Sequence, residues 1–324
     1  MPSLEYLGTD KPINKTKPLV SVCIPTFQHA SYIKECIDSV LSQETNFPIE
    51  ILIGEDKSLD GTREICMSYA DKFPDKIRLF LNDREDVIFI DGKPTGRANT
   101  LNLFSKARGE FIALCEGDDY WVDENKLQQQ IDFLDKNTEY SFCFSNAYLL
   151  LDIKERYEDQ YFCEKYCKSE LKDTIFFGDI TNSHWIPTGS VVFRKSMLNE
   201  IPSWFLKVPM GDWALFLLLL NHGPAKYFQT CFSVYRYHET SYWSTLSLET
   251  RISKSLQFYE IVRNKFGRKF NLICLSKLVS YHRNKYKEND NWRRKYLHLK
   301  KFFFYMAIKL LNKIFHSNYL LITL

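Results

Sequence analysis

The 324-residue sequence lacks the two glycine-rich motifs that commonly hold nucleotide phosphates. No G-x-G-x-x-G follows the first apolar segment, and no G-x-x-x-x-G-K-[ST] occurs in the chain. The first absence argues against a dinucleotide-binding dehydrogenase, and the second argues against a P-loop phosphotransferase. Any phosphate groups of a ligand are therefore expected to be held in another way, such as through a metal ion.

The sequence also shows no pattern typical of a disulfide framework or of a signal peptide. Its nine cysteines, an odd number, are scattered through apolar segments, which is typical of reduced thiols packed in a core. Cys163 and Cys167 form a single close pair, which without a second pair does not favour a zinc site. The polar segment 1–17 has no apolar signal-peptide core, which predicts a cytoplasmic protein.

Strand-like and helix-like segments alternate through the first half of the chain. An apolar run at 19–27 precedes an amphipathic stretch at 31–43, and the strand-like segment 49–54 precedes a helical pattern at 63–72. Two further apolar segments follow, at 77–81 and 110–115. This alternation predicts an α/β fold with a mostly parallel sheet and helices on both faces.

Polar residues gather where these predicted strands end. Pro25-Thr26, Glu55-Asp56 and the segment 116–119 all stand at carboxyl ends, where such sheets bind ligands. The last segment brings three carboxylates together, namely Glu116, Asp118 and Asp119, and these would repel one another without a cation. Oxygen ligands favour Mg²⁺ or Mn²⁺ over zinc. The alternative is an acidic turn that caps the next helix.

Three segments of the chain together resemble the family 2 glycosyltransferases of the GT-A fold. They are Val20–Phe27, Gly54–Thr62 and Ala107–Trp121, and they occur in the family's order and approximate spacing. The resemblance covers about residues 18–150 and extends more weakly through Gly211-Asp212-Trp213 to Tyr237-His238. It implies a GT-A-type, Rossmann-like sheet flanked by helices and a C-terminal helical extension. We therefore divide the chain into a polar segment (1–17), a catalytic domain (18–245, with halves 18–120 and 121–245) and a basic helical region (246–324).

The resemblance implies metal-dependent, inverting transfer of a sugar from a nucleoside diphosphate, with a UDP-sugar as the expected donor. It places Pro25 and Thr26 against the nucleoside, Asp56 on the base and Glu116 near the ribose. Asp118 would bind Mn²⁺ or Mg²⁺ with Asp119 beside the donor, and His238 would meet the metal or the diphosphate. The remaining implied donor contacts are Phe27, Glu55, Arg97, Asn99 and Gly117. Three residues depart from the usual family pattern: Gln28 replaces the common Asn, Lys57 the usual Gly, and Glu116 the first Asp of the D-x-D motif.

Asp212 opens the apolar segment 213–220, where the family often carries the base that deprotonates the acceptor hydroxyl. The alternative is that Asp212 only caps this helix. The expected acceptor-side residues are Trp185, Thr188 and Gly189, and Arg236 is a candidate for compensating leaving-group charge. Two other functions stay open, namely an inactive sugar-nucleotide-binding or scaffold protein and a nucleotidyltransferase.

The C-terminal region carries an excess of positive charge. Residues 281–324 hold ten basic and two acidic side chains, although the whole chain has a net charge of only +3. Apolar and basic residues share a helical pattern that includes Phe303 and Leu310, which favours peripheral binding to the inner face of an anionic membrane. Packing on the catalytic domain and a homo-oligomer contact are the alternatives, while nucleic-acid binding is not expected. We therefore predict a transferase that extends a bacterial surface glycan, with a glycan or lipid-linked glycan as acceptor.

Overall fold

A computed structural model describes residues 4–8, 16–85, 87–151, 156–158, 160–167, 169–198, 200–238, 246–288 and 292–317. Most of the predicted polar segment 1–17 therefore lies outside the described residues. The chain divides into two compact units. Unit 1 comprises residues 1–201 and 212–245, and unit 2 comprises residues 202–211 and 246–324.

Unit 1 contains a central sheet and the helices that flank it. Its strands are β1 (Leu4–Tyr6), β2 (Val20–Thr26), β3 (Ile49–Glu55), β4 (Ile77–Leu81), β5 (Ile88–Ile90), β6 (Lys93–Thr95), β7 (Phe111–Leu114), β8 (Tyr120–Trp121), β9 (Phe142–Leu151), β10 (Arg156–Tyr157), β11 (Thr174–Ile175), β12 (Val192–Arg194) and β13 (Ala225–Tyr237). Its helices are α1 (Ile33–Leu41), α2 (Thr62–Lys72), α3 (Arg97–Lys106), α4 (Lys126–Lys136), α5 (Phe162–Tyr166) and α6 (Gly211–Leu220).

The strand order of the main sheet is β1-β4-β3-β2-β7-β12-β9-β13-β11. The pairs β4/β3, β3/β2, β2/β7 and β9/β13 are parallel, whereas β12 runs antiparallel to both β7 and β9. The short strand β8 pairs with β13, and β10 pairs with β9. The predicted mostly parallel sheet of a GT-A fold is confirmed, with antiparallel strands inserted where the second half begins.

Buried side chains cover both faces of this sheet. Val20, Val22 and Ile24 alternate along β2 and pack in one core cluster with Ile33 and Ile37 of α1, as the period of two in strands requires. On α3, Leu103 and Phe104 are buried, and the Phe104 ring lies 5.6 Å from that of Phe193 on β12. Helices therefore lie on both faces of the sheet.

Unit 2 consists mainly of α7 (Leu248–Val262), α8 (Gly267–Glu288) and α9 (Trp292–Ser317). Ser247 caps α7, because its hydroxyl accepts a hydrogen bond of 3.2 Å from the backbone N–H of Thr250. Tyr305 is buried on α9 and donates a hydrogen bond to Glu260 of α7. Within the described part of the chain, every helix is too short or too polar to cross a membrane. The predicted C-terminal helices are confirmed.

Candidate active site

The carboxylate segment 116–119 lies directly after β7 and beside the end of β2. The backbone N–H of Gly117 donates a 3.1 Å hydrogen bond to the carbonyl of Pro25, which extends the strand pairing by one more contact. A Cβ atom at position 117 would stand 2.6 Å from Oγ1 of Thr26 and 2.9 Å from Nδ1 of His29. Glycine is therefore required here for this close approach, which brings Asp118 next to Thr26.

Two histidines converge on one oxygen of Asp118. Nε2 of His238 lies 3.0 Å from Oδ2 of Asp118, and Nε2 of His29 lies 3.7 Å from the same oxygen. His29 is oriented by Thr26, whose Oγ1 lies 3.2 Å from its Nδ1. Burial favours the neutral carboxyl, but the His238 hydrogen bond and the two histidines outweigh it and lower the pKa of Asp118. Asp118 is therefore a carboxylate held ready for a ligand.

The neighbouring carboxylates have the opposite electrostatics. Burial, then the charges of Asp118 and Asp212, raise the pKa of Glu116 to about 8. Burial, then Asp118 and Glu116, raise the pKa of Asp119 well above its ordinary value. Glu116 therefore lies within electrostatic range of both Asp118 and Asp212.

Asp212 stands at the start of α6 and faces a histidine. Nε2 of His184 lies 3.2 Å from Oδ2 of Asp212, and the Asp212 side chain is 40% exposed. Although burial opposes ionisation, the charge of His184, its contact and a hydrogen bond from the Trp213 N–H lower the pKa of Asp212 to about 2, with Arg97 contributing. The carboxylate is therefore ionised at neutral pH and reachable by a ligand.

Arg236, near the end of β13, holds the Asp118-Asp119 turn in place. Its backbone N–H donates a 2.9 Å hydrogen bond to Oδ1 of Asp119, and its Nε donates one of 2.9 Å to the carbonyl of Asp118. The guanidinium also pairs with Glu35 at 2.6 Å and lies 4.8 Å from the ring centroid of Tyr32. These contacts engage Arg236 in positioning the turn, so its predicted role at the leaving group stays a prediction.

A second group of side chains surrounds Asp56 at the end of β3. Asp56 is buried, its N–H donates to the carbonyl of Thr26 at 3.1 Å, and Arg84 pairs with its Oδ2 at 3.0 Å. Burial raises the pKa of Asp56 even though Arg84 acts in the other direction. The Arg84 guanidinium carbon lies 4.0 Å above the half-exposed ring of Phe27. Arg84 therefore links the Phe27 ring after β2 to the Asp56 carboxylate after β3.

Two of the departures from the family pattern occupy left-handed backbone positions. Gln28 has φ of 58° and Lys57 has φ of 60°. Glycine and asparagine tolerate this region better than other residues do, which explains why the family usually has Asn and Gly at these positions. The loops are held by other contacts, including a 2.9 Å hydrogen bond from the Gln28 N–H to the hydroxyl of Ser58.

Three predicted site residues are buried in structural contacts. Glu55 accepts hydrogen bonds from Arg63 and from the N–H of Ser58. Asn99 bridges the carbonyl of Gly54, at 2.7 Å, and the side chain of Asn82. The Trp185 ring is 1% exposed and packs against Phe144 and Tyr227, which leaves no open face for a sugar.

The other two acceptor-side candidates lie close to the carboxylates. Thr188 and Gly189 belong to a 3₁₀ turn over Thr188–Ser190. A Cβ atom at Gly189 would stand 3.4 Å from Oδ2 of Asp119, and the carbonyl of Gly189 accepts a 2.7 Å hydrogen bond from the indole N–H of Trp121. The structure therefore brings this turn against Asp119.

The donor set at Asp118 fits a divalent cation that binds through few protein ligands. Within the described ranges, no three His, Cys, Asp or Glu side chains are arranged as a complete metal cage. Asp118 and His238 provide an oxygen and a nitrogen side by side. Mg²⁺ in nucleotide sites is commonly held by one or two carboxylates, with substrate phosphates and water completing its shell.

Sequence reasoning missed His29, Arg84 and His184. His29 is 89 positions from Asp118 and His184 is 28 positions from Asp212, so no local spacing connects them. The neighbouring Trp185 was predicted as an acceptor-side residue instead, because aromatic rings commonly pack against sugars. The one sequence signal for His184 is its position just before the predicted acceptor-side residues Trp185, Thr188 and Gly189.

The comparisons with known proteins agree with this architecture. The family model described as Glycosyl transferase family 2 matches residues 21–200. An uncharacterised protein of Mycobacterium tuberculosis is 30% identical over 233 residues, which are 72% of this chain and 62% of that protein, so the chain spans about three fifths of that relative. A putative teichuronic acid biosynthesis glycosyltransferase of Bacillus subtilis is 31% identical over 127 residues, covering 39% of this chain and 46% of the relative.

Two solved structures share the fold. TarS 1–349 of S. aureus in complex with UDP-GlcNAc has a TM-score of 0.60 and 15% identity, over 87% of this chain and 80% of that one. A mannosyltransferase of Pyrobaculum calidifontis in complex with GDP-Man and Mn²⁺ has a TM-score of 0.54 and 15% identity, over 93% and 86%. Because the family model covers more than half of the residues, the chain belongs to glycosyl transferase family 2.

Proposed function

We propose that this protein transfers a sugar from a nucleoside diphosphate to a hydroxyl of a glycan acceptor, with inversion at the anomeric carbon. The observation that carries the proposal is the contact of His238 and His29 with the Asp118 carboxylate after β7, with Glu116 in electrostatic range of both Asp118 and Asp212. A transferase needs a place for a diphosphate and a base beside it. Membership of the family supports the same reaction class.

In this proposal Asp212 is the general base. Its ionised carboxylate accepts the proton of the acceptor hydroxyl while that oxygen forms a bond to the anomeric carbon. The bond from the anomeric carbon to the diphosphate oxygen breaks, and its electron pair leaves with the nucleoside diphosphate. His184, 3.2 Å from Asp212, positions the carboxylate. Although Asp212 also begins α6, a carboxylate there still has 40% of its side chain open to substrate.

Asp118 and His238 would hold a divalent cation, Mn²⁺ or Mg²⁺, together with the diphosphate. A bound cation would offset the charge that develops on the leaving diphosphate. Burial, and then the neighbouring carboxylates, raise the pKa values of Glu116 and Asp119, and a bound cation would favour the ionised form of both. The mannosyltransferase with a similar fold binds Mn²⁺ with GDP-Man, which supports a cation in this chain as well.

The nucleoside would lie at the ends of β2 and β3, against Pro25, Thr26 and Phe27, with Asp56 on the base. We propose a UDP-sugar as donor, since TarS with a similar fold binds UDP-GlcNAc. Glu116 would face the ribose. Arg97, whose charge acts on Asp212, would lie close to the transferred sugar.

The acceptor is proposed to be a growing surface polysaccharide on a lipid carrier, at the inner face of the cell membrane. The similarity to a putative teichuronic acid glycosyltransferase supports a polysaccharide acceptor. Helix α9 supports a peripheral membrane contact, because it exposes Phe303, Phe304, Leu310 and Leu311 and its segment 292–317 has no acidic residue. Apolar side chains among lysines are the features that bind an anionic lipid surface.

A thermal-shift screen with UDP, GDP, dTDP and CMP, with and without Mn²⁺, tests the donor site. One nucleoside diphosphate at about 100 times its Kd is expected to raise Tm by about 4 °C, and only when metal is present. Asp118→Asn should lose this response, whereas Asp212→Asn should keep it and lose transfer by a factor of about 10²–10⁴. Asp173→Asn, at an exposed carboxylate, is the matched control. No response to any nucleotide would overturn the proposal.

A further inference from the structure

A cleft that is open to solvent lies in unit 1, on the side of β9 and β10. Its volume is about 390 Å³, and its lining is mostly tyrosine: Val122, Tyr148, Tyr157, Glu158 and Tyr161. Ligand sites are typically of this size or larger, with aromatic walls and a few polar groups that fix orientation. None of the residues predicted to bind donor or acceptor lines this cleft.

The three tyrosine rings support one another and remain accessible. The Tyr148 ring packs edge to face on Tyr157, at 5.7 Å and 63°, and on Tyr161, at 5.5 Å and 81°. Tyr157 is 50% exposed and Tyr161 is 44% exposed. Such edge-to-face packing holds the rings in place, and the exposed fractions show that Tyr157 and Tyr161 remain accessible. The cleft therefore offers preformed aromatic surface together with phenol hydroxyls.

The cleft connects directly to the carboxylate site. The hydroxyls of Tyr120 and Tyr157 lie 2.9 Å apart, and Tyr120 follows Asp119 in the chain. The ring of Tyr120 also lies 5.2 Å from the guanidinium carbon of Arg236, which holds the carbonyl of Asp118. The Tyr120 side chain thus links the cleft to Arg236, which holds the Asp118-Asp119 turn.

The position in the sheet distinguishes this cleft from the nucleotide region. Asp56 follows β3, on one side of β7, whereas β9 and β10 lie on the other side, beyond β12. Since Asp118 and Asp119 follow β7, they stand between the two. A ligand in the tyrosine cleft would therefore approach the carboxylates from the side opposite the nucleoside, where an acceptor must enter.

We propose that this cleft binds a pyranose ring of the acceptor glycan, one that lies next to the sugar that reacts. The apolar C–H face of a pyranose would pack on Tyr157 or Tyr161, and its hydroxyls would donate to Glu158, since a carboxylate is an acceptor only. The inference rests on the proposed function and deepens it by naming residues that recognise the acceptor.

A quaternary ammonium group is the competing occupant, because such cations bind between aromatic rings. The charge of Glu158 is already compensated, since Nζ of Lys165 lies 3.5 Å from its Oε2. A cation would therefore meet a nearly neutral wall, whereas a sugar hydroxyl still finds an acceptor oxygen. The observations favour the neutral, hydroxyl-rich ligand.

The test measures binding of the full-length protein to an array of bacterial surface oligosaccharides. The double variant Tyr157→Ala/Tyr161→Ala should weaken binding of the recognised glycan at least about tenfold, equivalent to about 1.4 kcal/mol. Tyr161→Phe, which keeps the ring, should retain most of the binding. Phe89→Ala removes a 64% exposed ring elsewhere in unit 1 and is the matched control. Nucleoside diphosphate binding, measured by thermal shift, should be unchanged in all variants and reports that they are folded.

The outcomes separate this inference from the proposed function. Loss of glycan binding with intact nucleotide binding supports both. Equal glycan binding by wild type and double variant, or no glycan bound by wild type, overturns the cleft assignment whatever the nucleotide result. Glycan binding that depends on the tyrosines, in a protein that binds no nucleotide, would keep the cleft and overturn the transferase. Tetramethylammonium, added at low millimolar concentration without Mg²⁺, tests the competing occupant. If it displaces the glycan, the cleft is a site for a quaternary ammonium group and the proposal is overturned.

Discussion

Replacing the buried Lys126 by methionine is expected to stabilise the protein at neutral pH. Lys126 begins α4, has no exposed surface, donates a 2.7 Å hydrogen bond from Nζ to Gln130 and lies 4.0 Å from the ring centroid of Trp121. Burial lowers its pKa from 10.5 to about 7, although the nearby Cys143, Cys115 and Asp123 act in the other direction. Burying the charged form of this lysine therefore lowers the free energy of unfolding.

The magnitude follows from linkage between folding and proton binding. Because the folded pKa is lowered, between about pH 7 and pH 10 the unfolded chain binds a proton that the folded chain has released. Stability then rises with pH, by at most about 1.4 kcal/mol per unit, and the cost remaining at pH 7 is about 4 kcal/mol. Lys126→Met removes this cost but leaves Gln130 without its donor and loses the contact with Trp121, about 2–3 kcal/mol together. The net gain at pH 7 is therefore about 1–2 kcal/mol.

Urea unfolding at pH 7.0, 7.75 and 8.5, followed by tryptophan fluorescence, measures the effect. The control is Lys136→Met on the same helix, where the lysine is exposed. Burial also raises the pKa of the Cys143 thiol to about 12, so the free energy of unfolding falls as pH approaches 9 and the unfolded thiol ionises. This decrease occurs in wild type and in both variants, so it cancels when their stabilities are subtracted. A stability difference between wild type and Lys126→Met that stays constant with pH would refute the reasoning.

Three further predictions concern the carboxylate site. Gly117→Ala is expected to cost about 1–3 kcal/mol in urea unfolding and to weaken nucleotide binding, because the new Cβ would stand 2.6 Å from Oγ1 of Thr26; unchanged values for both would show that the loop yields freely. His184→Asn should raise the pKa of Asp212 from about 2, since the contact that lowers it is lost, and move the acid limb of the pH–kcat profile to higher pH; an unmoved limb would exclude Asp212 as the base. EDTA should abolish transfer, and Mn²⁺ or Mg²⁺ should restore it; full activity in EDTA would remove the cation from the mechanism.

The strand-and-helix order was readable from the sequence because its signals are local. The alternation of Val20, Val22 and Ile24 and the helical spacing of Ile33 and Ile37 follow from the geometry of single elements. The predicted helix at 31–43 is confirmed with slightly shorter bounds, at 33–41. The sequence also predicted that the polar residues after three strands lie near one another, because parallel strands end at the same edge of a sheet.

The roles of individual polar residues were less predictable, because they depend on partners distant in the chain. Glu55 and Asn99 were expected to contact the donor, yet both are buried and their side chains bond to the protein. A carboxylate that follows a strand looks the same in sequence whether it faces a ligand or Arg63. The donor contacts of Glu55 and Asn99 therefore stay predictions, whereas the Trp185 ring is buried and has no open face on which a sugar could stack.

By itself the sequence determined the α/β alternation, the carboxylate segment after β7 and the basic C-terminal region, because each is encoded within a few consecutive residues. Only the tertiary structure decided that His29 and His238 meet at Asp118, that His184 faces Asp212, and that tyrosines of β9 and β10 form a cleft. These groups come from separate elements, and their distances depend on how β9, β12 and β13 pair. Such pairing is a long-range consequence of packing that no local pattern encodes.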